Sequence, residues 1–136
     1  MRNRTKAREC ALKVLYASEI TKDEPKVCAD IFWQAHETIK EEVRSFAMFI
    51  VEGVHKNRTY VDSVITKYAK NWQIKRMATI DRNILRIATF ELLFAEEVPP
   101  KVAINEAIEM AKKYGDKDSG KFVNGVLDKI SKTEKK

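Results

Sequence analysis

The stretch Val102–Ile130, VAINEAIEMAKKYGDKDSGKFVNGVLDKI, decides the fold class. Ile104, Ala107, Ile108 and Ala111 recur at helical spacing in its first half, and Val123, Val126, Leu127 and Ile130 do so in its second. Between them, Tyr114-Gly-Asp-Lys-Asp118 carries no apolar period, and Gly115 stops the first pattern. Asp118 or Ser119 is placed to cap the second helix. Two amphipathic helices joined by a polar loop follow.

Working back from that stretch, Pro99-Pro100 ends the preceding helix and forces an extended link. Before it, a helix beginning at Thr79 carries Ile80, Ile84, Ile87, Ala88 and Phe94, with Leu85, Leu92 and Leu93 widening the arc. This helix is expected to be the most buried. From Val43 a stripe of Phe46, Ala47, Ile50, Val51, Val54, Val61, Val64, Ile65 and Tyr68 marks one long helix, or two meeting between Gly53 and Arg58. Upstream, Pro25 suits a first helical turn, with Val27, Ile31, Phe32, Ala35 and Ile39 read as its inward face. Arg4 to Ser18 reads as the first helix, burying Ala7, Ala11, Val14 and Leu15. β-alternation of useful length is missing. The expected fold is all-α, and only the lysine-rich tail 132–136 reads as unstructured.

With 136 residues, 44% of them hydrophobic, the chain suits one domain with a core of its own. Net charge is +6 and unevenly spread: residues 1–16 carry +4, residues 17–52 carry −4, residues 53–90 carry +6, and the rest cancels. Two positive regions around a negative one suggest a surface facing a polyanion, most simply nucleic acid. Cys10 and Cys28 have neither CxxC nor zinc spacing and read as free thiols in a reducing cytoplasm. A secretory leader and a membrane-spanning run are both missing from the sequence pattern.

Chemistry of the catalytic kind finds no footing. Glu52-Gly-Val-His55 has the spacing of two metal ligands on one helical face, yet a di-metal bundle needs a second such pair. Residue 33, three before His36, is Trp, so that pair is missing and Glu52–His55 reads as surface. Neither glycine-rich phosphate loop occurs. No enzyme, cofactor or metal site is expected.

Binding residues are easier to find. Arg2, Arg4, Lys6 and Arg8 lead directly into the first amphipathic helix, Arg4 and Arg8 one turn apart. Arginine-rich segments of this kind order on RNA and offer bidentate contacts to phosphate. Phe122 stands at the border of the last apolar stripe, beside Lys117, Asp118 and Lys121 and near a helix N-terminus, where free N–H groups favour an anion. Such a ring either completes the core or stacks on an unpaired base. Tyr68, among Lys67, Lys70, Lys75 and Arg76, poses the same choice.

Four blocks in order resemble the NusB family: Ala7-Arg-Glu-Cys-Ala-Leu-Lys-Val-Leu-Tyr16; Asn71-Trp72 with Ile80-Asp-Arg-Asn-Ile-Leu-Arg-Ile87 and Glu91-Leu-Leu93; Val102-Ala-Ile-Asn-Glu-Ala-Ile108 with Ala111-Lys-Lys-Tyr114; and Asp118-Ser119 with Lys121-Phe-Val-Asn-Gly-Val-Leu127. The resemblance spans nearly the whole chain. It implies two packed three-helix bundles with about seven helices, the N-terminal ones covering about 4–56 and the C-terminal ones about 57–131. It further implies a non-catalytic adapter that binds single-stranded boxA RNA of nascent ribosomal transcripts together with NusE, a small-subunit ribosomal protein, in an antitermination complex with RNA polymerase. Carried over by position, Arg2, Arg4, Lys6, Arg8, Tyr68, Asp118, Lys121 and Phe122 become RNA-binding, and Ile80, Asp81 and Ile84 the NusE surface. The acidic stretch Glu19–Glu42 falls where the family varies. Similar domains are fused to ribosomal-RNA cytosine methyltransferases, but the sequence stops at Lys136 with no catalytic module, so a free-standing adapter is expected. The alternative is a helical docking module that acts as a homodimer without RNA.

Overall fold

Asn57 breaks the long apolar stripe into two helices. Its backbone N–H and its side-chain amide both donate to the Gly53 carbonyl, at 3.0 and 2.9 Å, closing one helix just before the next begins. Within the first of them Gly53, lacking a Cβ, lets the Phe90 ring lie 2.1 Å from where that atom would be. In the computed structural model, which describes residues 2–134, seven helices follow in order. They are α1 (Arg2–Thr21), α2 (Pro25–Ala35), α3 (Glu41–Lys56), α4 (Arg58–Tyr68), α5 (Thr79–Phe94), α6 (Pro100–Tyr114) and α7 (Ser119–Glu134), with a 3-10 turn at Ile74–Arg76. Among the described residues there is no strand. The all-α expectation holds.

Helices α1, α2 and α3 pack on one another, as do α5, α6 and α7, while α4 lies against α5 and α7. The two groups meet where α1 and α3 rest on α5. Helix α5 is buried almost all round from Arg82 to Leu92, as its wide apolar arc predicts. Its interior also holds polar groups that periodicity does not reveal. Arg82 donates to Glu19 of α1 at 2.6 and 3.1 Å and to the Ile74 and Met77 carbonyls. Arg86 forks onto Asp62 of α4 at 2.8 and 3.0 Å and reaches Glu19 at 2.8 Å. These ion pairs tie α1, α4 and the 3-10 turn to the central helix. Two of the cations that made residues 53–90 strongly positive are thereby neutralised inside the protein.

Three expectations need correction. Helix α2 turns Cys28, Ala29 and Trp33 inward, and leaves Ala35 exposed together with Val27 and Ile31, which are 48% and 61% exposed. The indole has the larger area to bury, packs edge-on to Phe32 and donates to the Met48 sulfur at 3.3 Å, and this sets the rotation of the helix. Pro99-Pro100 does not end α5, which stops at Phe94; Pro99 instead precedes α6 and Pro100 occupies its first turn, where a missing N–H costs nothing. The lysine-rich tail is helical as far as Glu134, whose carboxylate accepts the Tyr68 hydroxyl at 2.6 Å and the Lys67 ammonium at 3.1 Å. Lys135 and Lys136 lie outside the described residues.

Candidate nucleic-acid interface

The loop between α6 and α7 is held by its own polar groups. Asp118 N–H donates to the Asp116 carboxylate at 2.9 Å, and the Ser119 hydroxyl donates to the same oxygen at 3.2 Å while accepting from Asp116 N–H at 3.0 Å. Gly115 leaves room for this: a Cβ there would lie 2.5 Å from the Ser119 hydroxyl oxygen. Asp118 contributes its backbone carbonyl to the first turn of α7, accepting from Phe122 N–H at 3.1 Å, and its side chain stays exposed. Lys121 is exposed on that first turn, and Phe122 is half-buried beside it.

Phe122 meets Trp72 edge to face, with ring centroids 5.7 Å apart and planes at 65°. Trp72 follows α4 in the loop and is 54% exposed, which is unusual for so large an apolar surface. The pair forms a wall between two cavities. On the side toward the C-terminus of α7, about 360 Å³ is lined by Tyr68, Lys70, Lys121 and Lys129 with the two rings. On the other side, about 310 Å³ is lined by the rings with Arg76, Asp81, Asp116 and Asp118. A third hollow of about 440 Å³ brings Lys112, Lys117 and Lys121 together beside Gly115 and Gly120. Aromatic faces interleaved with free lysines are what single-stranded nucleic acid requires: cations track the phosphates and rings stack the bases.

The expected residues divide. Tyr68 joins this surface half-buried, its hydroxyl anchored by Glu134 and its ring 5.4 Å from the Lys67 ammonium. Phe122, Lys121 and Asp118 lie around the same wall. Arg2, Arg4 and Lys6 are exposed on α1, with the Arg4 guanidinium 4.2 Å above the Phe46 ring. Arg8 is a correction. It is 1% exposed and grips Glu91 of α5 at 2.7 and 2.8 Å, with Glu106 of α6 at 3.6 Å, so it is a core ion pair and meets no phosphate. Helical periodicity gives the reason, because Arg8 shares its face with Ala11, Leu12 and Leu15. Glu9, its neighbour, accepts the Lys113 ammonium at 3.1 Å and the Tyr114 hydroxyl at 3.0 Å, and so docks α1 beside the start of the α6–α7 loop.

Ile84 is a second correction, since it is wholly buried and has no surface to offer a partner. Ile80 and Asp81 are half-buried, and Asp81 lines the cavity beside the aromatic wall. Burial pushes the Asp81 carboxyl above its ordinary range; the Ser119 hydroxyl opposes that rise and the charge of Asp116 adds to it. Its Oδ1 is covered and has no hydrogen-bond partner. Trp72 was missed as a site residue because it follows no helical period; its position between Lys70 and Lys75 was the available signal. His55 pairs with Glu24 at 3.6 Å and not with Glu52, both groups exposed. Among the described residues no cluster of metal-ligating side chains occurs, and no helix is long and apolar enough to cross a membrane.

Comparison with known proteins gives the family. The NusB family model matches residues 5–132. The chain belongs to the NusB family. The transcription antitermination protein NusB of Anaeromyxobacter dehalogenans is 48% identical over 128 residues, covering 94% of this chain and 89% of that protein. That of Syntrophus aciditrophicus is 45% identical over 130 residues, covering 96% of this chain and 80% of the relative. Among solved structures, T. maritima NusB superposes with a TM-score of 0.89 at 38% identity, over 98% of this chain and 93% of the other. A crystal structure of antitermination factors NusB and NusE in complex with dsRNA matches at a TM-score of 0.89 and 30% identity, over 97% of this chain and 98% of the NusB chain. The NusB family is non-catalytic.

Proposed function

We propose that this NusB-family chain is a cytoplasmic RNA-binding adapter of transcription antitermination, holding single-stranded boxA RNA together with NusE and delivering both to RNA polymerase. The observation that carries the reading is the Trp72–Phe122 wall with Lys70, Lys121 and Lys129 exposed around it. The exposed lysines capture the strand by displacing its counterions, and the rings then hold unstacked bases. Arg2, Arg4 and Lys6 extend the positive surface along α1, and the half-buried Ile80 supplies the NusE side. A solved relative in complex with NusE and dsRNA supports the pairing of these two partners.

The test is binding of a boxA-like oligonucleotide against a scrambled one of equal composition, with and without NusE. The expected result is tighter binding of boxA, further tightened by NusE. Equal binding of the two sequences in both conditions refutes it. A second reading, self-association through a protein-docking face, is favoured by one observation. Phe49, Phe94 and Tyr60, exposed by 41, 42 and 51%, join Phe46 and Phe90 in a run of ring contacts across α3, α4 and α5. Light scattering with and without RNA separates the two, because a dimer that RNA neither dissociates nor binds supports the second.

A further inference from the structure

The two cavities flanking the Trp72–Phe122 wall carry opposite net charge. Lys70, Lys121 and Lys129 line one, while Asp81 and Asp118 line the other beside the single cation Arg76, with Asp116 there already committed to the loop. A single-stranded RNA has the same division within each nucleotide, anionic on the backbone and polar at the base edge. The lysine side accepts phosphates and repels nothing on them. On the aspartate side three carboxylates outnumber the one cation, which disfavours phosphate, and Asp81 and Asp118 offer acceptors to a ligand edge that donates. Resting on the RNA-binding reading above, we infer that the aspartate cavity is a base pocket selective for guanine, with the backbone turned to the lysine side of the wall.

Guanine fits because its Watson–Crick edge presents two adjacent donors, N1–H and the 2-amino group, to the two oxygens of one carboxylate. Cytosine and adenine each place a ring-nitrogen acceptor beside their amino donor, which sets lone pair against lone pair. Uracil flanks its single N–H with two carbonyl oxygens. Asp81 is the residue suited to read that edge, since its covered Oδ1 lacks any partner in the protein and rotation about a soft terminal torsion turns it toward the cavity. The exposed face of Trp72 supplies the stack and is indifferent to which base lies on it.

The experiment uses the wild-type chain and twelve-nucleotide oligo(U) carrying one central guanosine, inosine, adenosine or cytidine. Affinity is read by anisotropy, and stacking by the emission of Trp72, the exposed one of two tryptophans. The guanosine strand is expected to bind about tenfold tighter than the inosine strand, the loss from one missing donor. Trp72 quenching at saturation is expected to be equal for both. Asp81→Asn should bring the guanosine-to-inosine ratio to within about twofold, while Lys129→Ala should weaken all four strands alike. Because the ligand series needs no variant, a misfolded Asp81→Asn leaves the test intact. Equal wild-type affinities for guanosine and inosine, or a preference for adenosine or cytidine, overturn the pocket and leave the RNA-binding function standing. Failure to bind any strand overturns both.

Discussion

Arg4 and Arg8 stand one helical turn apart, and burial assigns them different work. Arg4 lies over Phe46 at the surface, whereas Arg8 is enclosed with Glu91 and Glu106. Removing one partner of a buried pair strands the other charge, at a cost of about 3–5 kcal/mol. Arg8→Ala is therefore expected to lower the urea midpoint strongly, and Arg8→Leu combined with Glu91→Leu to recover most of it. A single variant with unchanged stability would return Arg8 to the surface role. Phe122→Ala belongs to the same scale, but its ring lies against an exposed Trp72, so it should cost RNA affinity and little melting temperature. A collapsed melting curve would mark Phe122 as core. The sequence placed Phe122, Lys121 and Asp118 on one surface correctly because all three lie within one turn. It could not place Trp72 there, since the wall joins residues far apart in the chain. Nor does a charge pattern distinguish an arginine in water from one paired inside, so the buried Arg8, Arg82 and Arg86 read as surface charge.

At the scale of elements, the α6–α7 junction was legible, whereas the ends of α5 and α7 and the face of α2 were not. Gly115 ends α6 and Ser119 begins α7 as the loop sequence implies, and α7 buries the stripe its period marks, whereas α5 leaves Phe94 exposed and α6 turns Ala103 and Met110 inward with Ile104 and Ile108 half-buried. On α2 the apolar residues cover too much of the circumference for the period to choose a side, and Trp33 chose it by size. The end of α1 carries a strain no pattern shows. Lys22 takes φ 70° so that its N–H can reach the Ser18 carbonyl at 2.9 Å, a left-handed conformation that suits glycine at this position. Lys22→Gly should accordingly stabilise the protein by about 0.5–1 kcal/mol, the left-handed penalty less the entropy glycine adds to the unfolded chain. Thermal melting checks it, and a lower midpoint would contradict it. Gly53→Ala should act in the other direction, because the new methyl would overlap the Phe90 ring, and such overpacking costs about 1–3 kcal/mol.

For the whole molecule, the interior ion pairs link stability to pH. Burial alone would raise the Glu19 carboxyl, yet hydrogen bonds from Arg82 and Asn83 and the charges of Arg86 and Arg82 outweigh it and hold it below its ordinary range. A carboxyl depressed in the folded state makes the unfolded chain the better proton acceptor. Its stabilisation is then complete at neutral pH and is lost as pH falls through the folded value, below the usual glutamate range of about 4.3. Urea midpoints should drop across that acid window, and Glu19→Gln should be less stable at pH 7 with a flatter acid limb; an unchanged limb would mean that the network does not govern it. The same burial decides how the protein responds to salt. Arg8, Arg82 and Arg86 spend their charge on Glu91, Glu19 and Asp62, so the net +6 overstates nothing in sum but misplaces its source. What faces solvent around the aromatic wall is Lys70, Lys112, Lys117, Lys121 and Lys129. Each of these that neutralises a phosphate of a single strand contributes about 0.7 to the slope of log affinity against log salt. Lys121→Ala should thus shallow the slope by about that amount at unchanged melting temperature. Arg8→Leu with Glu91→Leu should leave it unaltered, and a change in slope there would show that the arginine does reach the RNA.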